Sequence, residues 1–562
     1  MPGTAIDPRR LFLVAAGGIT LWLLLLFLWH FTFGHGRTVE HVLFLDQDFP
    51  ALLVGVAGLI LLSLFLKGTD WRVPEPRARI VVPLILLCAL WSWAGHYLVF
   101  GDYVLSRDEE SVLFASGYMR DGLLARPIPP EWMDYRRAIM PEFFSPFGAA
   151  TSWGSAYLPV NAALRTVFGL LGDPNLSGPV LLAIGLAALW RVALRLFPGR
   201  PDAVWVALLM ALGSAQISVT AMTPYAMTGH FALDILWLAL VLRGGTIGHG
   251  AAALAALVAG GLHQWHFPPL FIVPFILWML VQRRWGVALF HAVVLLALVG
   301  LWAKAWPAFL IAHLGAAADV RPSAGVGDKM GSLLRRFSNK WEPLFDIARF
   351  LAWNNLLLVP LAALGAARAR WRTILRGGAG SIVLPLTLCC LIAFGVALHQ
   401  GYGWGFRYAH GFLPAFCLLA GYGWIALDAR SLRPALLGTA LSVGLVLFLA
   451  VRAHGYVAPY AASDRLIHRT DADVVLVDSR GGVFATDLVR TDHGVPGRPV
   501  VMSLAMLTPA KLDALCARYD VALFDWRAFR ALGVRRARWQ NGWPALLRAH
   551  LDRIDCGRVI IP

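Results

Sequence analysis

The chain has 562 residues, of which 58% are hydrophobic and 15% are charged, and its formal net charge is +16. So large an apolar fraction excludes an ordinary water-soluble globular protein and indicates a polytopic membrane protein. The positive charge does not indicate a nucleic-acid partner, because the basic residues fall mostly in short clusters between apolar runs, as in the cytoplasmic loops of membrane proteins.

Apolar runs that suit a bilayer crossing follow one another along most of the chain. A hydrocarbon core about 30 Å thick requires roughly 20 helical residues. Thirteen runs of about this length are present. The predicted spans are 11–33, 49–66, 80–100, 178–197, 203–222, 229–243, 250–266, 268–282, 286–304, 350–367, 381–399, 410–427 and 434–452.

The arginine-rich loops predict the orientation of these spans. Two arginines precede the first run, which is too long for a signal-peptide core, so we expect a retained first helix with a cytoplasmic start. Six basic loops fall on the same side if 155–171 does not cross, and we interpret 155–171 as a juxtamembrane or re-entrant helix. Residues 101–177, a loop from 305 to 349 and the tail after 452 then face outward. The predicted location is a bacterial-type inner membrane with its chemistry on the periplasmic face.

Composition divides the chain into three predicted parts. Residues 1–79 form an N-terminal transmembrane hairpin, 80–452 a larger transmembrane module, and 453–562 an external α/β domain. The predicted fold class is therefore an all-α polytopic membrane bundle of about 13 transmembrane helices with a small C-terminal α/β extramembrane domain.

The tail is more polar and has short apolar runs of a different kind. A helix is predicted over 508–519, with Thr508 as its cap and Pro509 in its first turn. Cys516 and Cys556 pair if the tail faces an oxidising compartment and their backbones lie within bonding distance, which the sequence leaves open. Buried strands are predicted over 473–479, 498–504 and 520–526.

Three consecutive acids lie directly beyond the third predicted span, in SRDEE (106–110). Ser106 and Glu109 have the spacing of a capping box, and acids in a first turn interact favourably with the helix dipole. A helix start on the membrane surface therefore explains these acids as well as a functional role does.

The helical periodicity of the residues after these acids indicates which acid is exposed. At about 100° per residue, Asp108 projects roughly opposite the apolar stripe, whereas Glu110 falls near it. Asp108 is therefore the better candidate for an exposed base. The stripe consists of Leu113, Phe114, Gly117 and Tyr118.

Three motifs resemble those of the GT-C glycosyltransferases, in particular the branch of protein O-mannosyltransferases, lipid A aminoarabinose transferases and bacterial lipid-glycan transferases. They are SRDEESVLFASGYMRDG, WGSAYLPVNAALRTVFGLLG and WGFRYAHGFLPAF, and the likeness in layout covers residues 80 to about 430. It implies transfer of a sugar from a polyprenyl-phosphate carrier, with Asp108 as catalytic base and Glu109 beside it. Two features depart from the family pattern: the acidic loop follows the third predicted span, and AYLPV replaces a Lys-Pro-Pro pattern.

The chemistry of such a transfer requires a base and a cation. A carboxylate can take the proton of an acceptor hydroxyl, and the departing lipid phosphate needs a positive partner. Arg407, with Tyr408 and His410 nearby, is the predicted phosphate-binding group. The alternative is an interfacial arginine among belt aromatics. We expect the acidic and arginine stretches to meet at one outward-facing site.

Four further residues are candidates for substrate contact. His263 and His266 fit phosphate or sugar binding, or an interfacial hydrogen-bonding turn; a metal is possible, but no third ligand is fixed by spacing. Asp234 lies in an apolar run and should face the protein interior, since an acid at mid-bilayer costs roughly 2.5–3.5 kcal/mol. His230 and Asp234 either bind substrate or form a structural hydrogen-bonded pair.

The expected partners are membrane lipids, a polyprenyl-phosphate sugar donor and a glycan, lipid or protein acceptor. The sequence identifies no cofactor with certainty beyond the lipid-linked sugar donor, and a divalent metal stays open, since no set of carboxylates supports one. The alternative is a transporter or lipid-linked sugar flippase without covalent chemistry, which the intramembrane acid favours and the lack of repeated halves opposes. A non-catalytic scaffold would leave the acids and Arg407 without a task.

Overall fold

The computed structural model places the described residues in two compact units. The first unit comprises Met1–Gly95, Leu176–Lys304 and Ala324–Arg452, and the second comprises His96–Asn175, Ala305–Ser323 and Ala453–Pro562. The described residues are 8–33, 39–65, 73–139, 144–147, 151–315, 342–377, 380–396, 403–427, 431–490, 497, 499–535 and 542–560.

The described part of the first unit is helical. Helices satisfy their backbone hydrogen bonds internally, which a segment in hydrocarbon requires. Two of the helices named below, Ala78–Leu98 and Arg433–His468, begin in the first unit and end in the second. The α-helices are Pro8–Phe33, Val39–Leu43, Phe49–Phe65, Ala78–Leu98, Ser177–Leu196, Pro201–Leu212, Ala215–Thr220, Met227–Arg243, Gly245–Gly260, Phe267–Val281, Trp285–Val299, Glu342–Trp353, Leu358–Ala367, Trp371–Leu375, Val383–Val396, Leu413–Leu427 and Arg433–His468.

Each predicted span coincides with a helix or with two helices separated by a break. One break separates Pro201–Leu212 from Ala215–Thr220. The other separates Leu344–Trp353 from Leu358–Ala367, which meet at 104°. Seven described helices are long and apolar enough to cross a membrane, or eight if the bent pair is one span. The structure is thus a helical membrane bundle, and the total of thirteen crossings stays a prediction.

Two helices of the first unit pack in backbone contact through glycine. A Cβ added to Gly423 would lie 1.9 Å from the carbonyl oxygen of Leu361, and one added to Gly365 would lie 2.4 Å from that of Leu419. Small residues allow such close approach between membrane helices. Glycine is therefore required where Leu358–Ala367 meets Leu413–Leu427.

The second unit contains two small sheets. The antiparallel sheet comprises β1 (Arg126–Pro127), β2 (Phe144–Phe147) and β3 (Ser152–Ser155) in the order β1-β3-β2. Its strands lie in the first external loop, where the sequence analysis predicts none. Strand β1 has two residues and β3 has four, too few for a clear alternation of apolar and polar side chains.

The parallel sheet lies in the tail and has the order β5-β4-β6-β7. The three predicted strands are confirmed as β4 (Val474–Val477), β5 (Val500–Ser503) and β6 (Val521–Phe524), and β7 (Arg558–Val559) adds a fourth. Each of the first three is buried along its whole length, as expected for parallel strands covered on both faces. The predicted helix occurs as Pro509–Cys516.

The C-terminal sheet and the first external loop share one hydrophobic core. This arrangement differs from the predicted division, in which the tail forms a domain of its own. Cys516 and Cys556 pack against this core and form a disulfide across a Cα separation of 6.1 Å. The core includes Val112, Phe114, Tyr118, Trp132, Trp153, Val474, Leu476, Met502, Leu512, Leu523 and Leu547.

The helices of the second unit are short. Residues 155–171, predicted not to cross, contain the 11-residue helix Val160–Leu170, whose length of about 17 Å is well below a bilayer core. The predicted loop 305–349 is partly helical at both ends, and residues 316–341 lie outside the described residues. The other α-helices of this unit are Arg107–Arg120, Arg136–Ile139, Trp306–Leu314, Pro509–Cys516, Trp526–Leu532 and Gly542–Arg553.

Candidate functional site

The nine predicted site residues divide between the two units. Asp108 and Glu109 belong to the second unit. The first unit holds the other seven, which are His230, Asp234, His263, His266, Arg407, Tyr408 and His410.

The acids open a capped helix, Arg107–Arg120, called the first-loop helix below. The Ser106 hydroxyl accepts a hydrogen bond from the backbone N–H of Glu109 at 3.3 Å, as the capping spacing indicates. Phe114 and Tyr118 of the predicted apolar stripe are buried in the core. Burial raises the pKa of Tyr118 to about 12, so this phenol stays protonated at neutral pH.

Asp108 is half-buried and is contacted by a tyrosine that the sequence analysis missed. The Tyr157 hydroxyl donates a hydrogen bond to Asp108 Oδ1. The backbone N–H of Tyr157 donates to the Ser155 hydroxyl at 3.1 Å, and that hydroxyl bonds the Ser111 hydroxyl at 2.7 Å. Tyr157 is thus tied back to the helix that carries Asp108. A hydroxyl aimed at a carboxylate orients it for proton transfer.

Glu109 is buried beside a second missed residue, Arg165. Glu109 is 2% exposed and Arg165 is 5% exposed. Burial lowers the pKa of Arg165 to about 10, against the opposing attraction of carboxylates that include Glu109 and Asp173. Arg165 lies in the motif that lacks the Lys-Pro-Pro pattern, and its cation is charge-complementary to Glu109. Glu110, near the apolar stripe, is also buried.

In the first unit, a buried polar network holds the segment before Arg407. Gln216 donates to the carbonyl oxygen of Phe406 at 2.7 Å and accepts from its N–H at 3.1 Å. Gly405 has a φ of 70°, and a Cβ there would lie 2.7 Å from Gln216, so glycine is required. The broken span that supplies Gln216 therefore sets the backbone from which Arg407 projects.

The Arg407 guanidinium is buried against aromatic rings. Arg407 is 5% exposed. Its Cζ lies 4.5 Å from the ring centre of Tyr225 and 6.0 Å from that of Tyr408. Such cation–π contacts hold a guanidinium without neutralising it. Tyr225 was missed by the sequence analysis, since it lies in a loop 182 residues earlier in the chain.

Phe267 joins four of the predicted residues in one ring cluster. Its ring centre lies 5.4 Å from that of His230 and 5.7 Å from that of Tyr408. It lies 4.8 Å from the ring of His266 and 6.1 Å from that of His263. The structure therefore brings these four residues together, as their shared external position predicts.

Three buried polar residues of the first unit keep unsatisfied atoms. Asp234 is 2% exposed and faces the protein interior, as predicted, with its Oδ2 2.8 Å from the position of a Cβ added to Gly411. Among the described residues, Asp234 Oδ1 and both ring nitrogens of His230 and of His410 have no hydrogen-bond partner. His230 and Asp234 thus do not form the hydrogen-bonded pair considered as the alternative.

Metal binding has no ready donor set in the part of the chain that the structure describes. Within it, no three His, Cys, Asp or Glu residues are arranged to hold a metal ion.

The fold and these residues define a multi-pass membrane protein with a buried arginine among histidine and aromatic rings in one unit and a capped, acid-bearing helix in the other. No protein-family model matches the sequence, and no curated protein matches it significantly. The chain is similar to the crystal structure of ArnT from Cupriavidus metallidurans in the apo state, with 13% identity, a TM-score of 0.48, and coverage of 85% of this chain and 89% of that chain. It is similar to the same protein bound to undecaprenyl phosphate, with 14% identity, the same coverage and a TM-score of 0.48.

Proposed function

We propose that the protein is a GT-C type glycosyltransferase, which moves a sugar from a polyprenyl-phosphate carrier to an acceptor hydroxyl at the external face of the membrane. The observation that carries this proposal is the contact of the Tyr157 hydroxyl with Asp108 at the start of a capped helix. A helix cap alone needs Ser106 and the backbone N–H of Glu109. It does not need a tyrosine on the neighbouring carboxylate.

Asp108 is the general base of the proposed reaction. Its carboxylate takes the acceptor hydroxyl proton as the acceptor oxygen bonds to the anomeric carbon. The bond from that carbon to the carrier oxygen breaks, and its electron pair leaves with the polyprenyl phosphate. Because the leaving group is already a phosphate, no second acid is required to protonate it, unlike in glycoside hydrolases.

Arg407 is the proposed partner of the carrier phosphate. A guanidinium offers paired donors that match phosphate oxygens, and that of Arg407 is held among tyrosine rings. His230, His410 and Asp234 supply further polar atoms. Since buried polar atoms without a partner are costly, a phosphate or sugar hydroxyl is a favourable partner for them. His263, His266 and Tyr408 complete the proposed binding set.

The external orientation is supported by two independent features. The arginine-rich loops lie between spans in a pattern that predicts one cytoplasmic side. The Cys516–Cys556 disulfide in the tail suits an oxidising compartment such as the periplasm. Both features support an outer location for the acid-bearing loop and the tail.

Conversion of Asp108 to Asn tests the catalytic proposal. Asp108→Asn should abolish transfer while expression and thermal stability stay nearly unchanged, because the amide cannot accept a proton at neutral pH. The measurement is mass spectrometry of envelope glycans from a deletion strain that carries each variant. Glu131→Gln is the matched control, since Glu131 is an exposed acid of the same loop. Full glycan restoration by Asp108→Asn would reduce the acidic turn to a helix cap.

A lipid-linked sugar flippase is the second candidate, and the buried, unpaired Oδ1 of Asp234 favours it. The two candidates differ in covalent product. Proteoliposomes with an undecaprenyl-phosphate-linked sugar on one leaflet would show translocation without acceptor modification if the protein is a flippase. Modification of the acceptor that depends on Asp108 would exclude a protein that only translocates the lipid-linked sugar.

A further inference from the structure

A cluster of buried charges joins the first-loop helix to residues 484–490, called the tail segment below. Arg107, at the start of the helix, donates hydrogen bonds to the carbonyl oxygens of Thr486 and Val489. Its Nε lies 3.8 Å from Asp487 Oδ1. Arg107 is therefore bound by three residues of the tail segment.

Arg490 belongs to the tail segment and contacts the first-loop helix and the residues just before it. Its Nη1 lies 3.5 Å from Glu110 Oε2, and its Nη2 donates to the carbonyl oxygen of Val104. Its Cζ lies 4.0 Å from the ring centre of Tyr103, while its Nε donates to the Asp487 carbonyl oxygen at 2.7 Å. The Arg490 guanidinium thus joins the tail segment to residues on both sides of Asp108, namely Val104 before it and Glu110 after it.

These charges are removed from solvent. Arg107 and Asp487 are each 3% exposed, and Glu110 is 7% exposed. Burial alone lowers the pKa of Arg490, but Tyr103, Glu110 and further nearby carboxylates raise it above its ordinary value. Arg490 is therefore a cation. Breaking a buried pair leaves an uncompensated charge, so the geometry of this cluster is strongly held.

The cluster occupies one face of the turn that carries the proposed base. Arg107 and Glu110 are three residues apart and lie on one side of the helix. Asp108 lies between them in sequence and projects about 100° from Arg107, where it meets Tyr157. A shift of Arg107 or Glu110 would rotate or displace the Asp108 carboxylate directly.

We propose that Arg107 and Arg490, with Glu110 and Asp487, are positioning residues that set the Asp108 carboxylate, so that the tail segment helps to place the proposed base. This inference rests on the proposed function. It assigns the tail segment a task, because two of these four side chains, Asp487 and Arg490, come from it. None of the four touches the reacting atoms in this assignment.

Arg490→Lys tests this proposal while keeping the charge. A lysine cannot contact Glu110, Val104 and the Tyr103 ring together, because it lacks the planar fork. With the undecaprenyl-phosphate-linked sugar that the unaltered protein turns over, we expect kcat to fall about 10- to 100-fold. KM for this donor should stay within about twofold, since the proposed phosphate-binding residues are unaltered. Amide hydrogen exchange over residues 104–112 should rise.

Arg548→Lys is the matched control. Arg548 pairs with buried Asp478 at 2.5 Å in the same C-terminal domain and has no described contact with the first-loop helix. It should lose comparable stability and keep both kcat and the exchange of residues 104–112. Equal loss of kcat in the two variants would reduce the cluster to a general stability element, and unchanged kcat and exchange in Arg490→Lys would overturn the proposal. If Arg490→Lys does not fold, Glu110→Gln is measured by the same two criteria.

The result separates this inference from the proposed function. Should Asp108→Asn abolish transfer while Arg490→Lys remains fully active, the base assignment stands and the positioning role is wrong. Should Asp108→Asn remain active, the base assignment is wrong, and with it the reason for positioning that side chain.

Discussion

The Asp108 carboxylate is oriented by a phenol hydroxyl that reaches it from the loop after the antiparallel sheet. A hydrogen bond to a charged group typically contributes about 1.5–3 kcal/mol, more than one between neutral groups. The bond restricts rotation of the carboxylate. Tyr157 is thus the neighbour on which the proposed base depends most directly.

Tyr157→Phe removes this hydroxyl and keeps the ring. We expect the transfer rate to fall roughly 10- to 100-fold, the equivalent of the lost hydrogen bond. Initial-rate measurements on the purified variant provide the test. Tyr135→Phe is a suitable control, since Tyr135 is a partly buried tyrosine of the same unit that lies away from Asp108. An unaltered rate in Tyr157→Phe would contradict the orienting role.

Contacts between residues that are close together in the sequence could be predicted from it. The Ser106–Glu109 cap and the inward face of Phe114 and Tyr118 follow from spacing along one helix. The contacts of Tyr157 with Asp108 and of Arg407 with Tyr225 join residues 49 and 182 positions apart. No periodicity encodes such a pair, so these neighbours were not predicted.

At the scale of elements, the packing of Leu358–Ala367 against Leu413–Leu427 depends on the absence of two side chains. Gly423→Ala would place a methyl group 1.9 Å from the Leu361 carbonyl oxygen and force the helices apart. We expect a destabilisation of about 1–3 kcal/mol, which thermal unfolding in detergent would register as a lower Tm.

Gly444→Ala supplies the comparison for this substitution. Gly444 lies inside Arg433–His468, and an added Cβ meets nothing within 4 Å. Alanine should leave the Tm unchanged or raise it slightly, because it favours a helix by up to about 1 kcal/mol relative to glycine. Equal Tm values for the two variants would contradict the close-packing interpretation.

The breaks between helices were harder to predict than the helices. Apolar run length places the spans correctly, because burial in lipid imposes length and composition. It does not register the interruption at Ser214, whose hydroxyl caps the helix that starts at Ala215 by accepting from the Ile217 N–H at 3.1 Å. A cap inside an apolar run is one polar residue among many apolar ones, and its effect depends on the partner helices.

At the scale of the whole molecule, the distribution of arginines predicts which side of the membrane each loop faces. Arg372→Cys lies in a predicted cytoplasmic loop and Arg530→Cys in the tail, and both positions are exposed within their units. A membrane-impermeant maleimide applied to intact spheroplasts should label Arg530→Cys and spare Arg372→Cys until the membrane is opened. The unsubstituted protein measures the background of the native cysteines. The reverse labelling pattern would invert the proposed topology.

The division of the chain was predictable only in part. The tail was recognised as α/β from its apolar runs, and three of its strands are confirmed. That residues 112–162 and 474–551 form a common core was not predicted, since a hydrophobic pattern states that a face is buried and not what buries it. The same limit explains why the tail was assigned as a separate domain.

This common core imposes an order on biosynthesis. Phe114 emerges from the ribosome about 360 residues before Val474, and at 5–20 residues per second the interval is roughly 20–70 s. During that time the nascent loop carries apolar side chains whose final neighbours have not been made. If the loop is translocated as proposed, it waits on the outer side of the membrane for the rest of its core, and a chain that terminates before the tail would leave the loop without a folded end state.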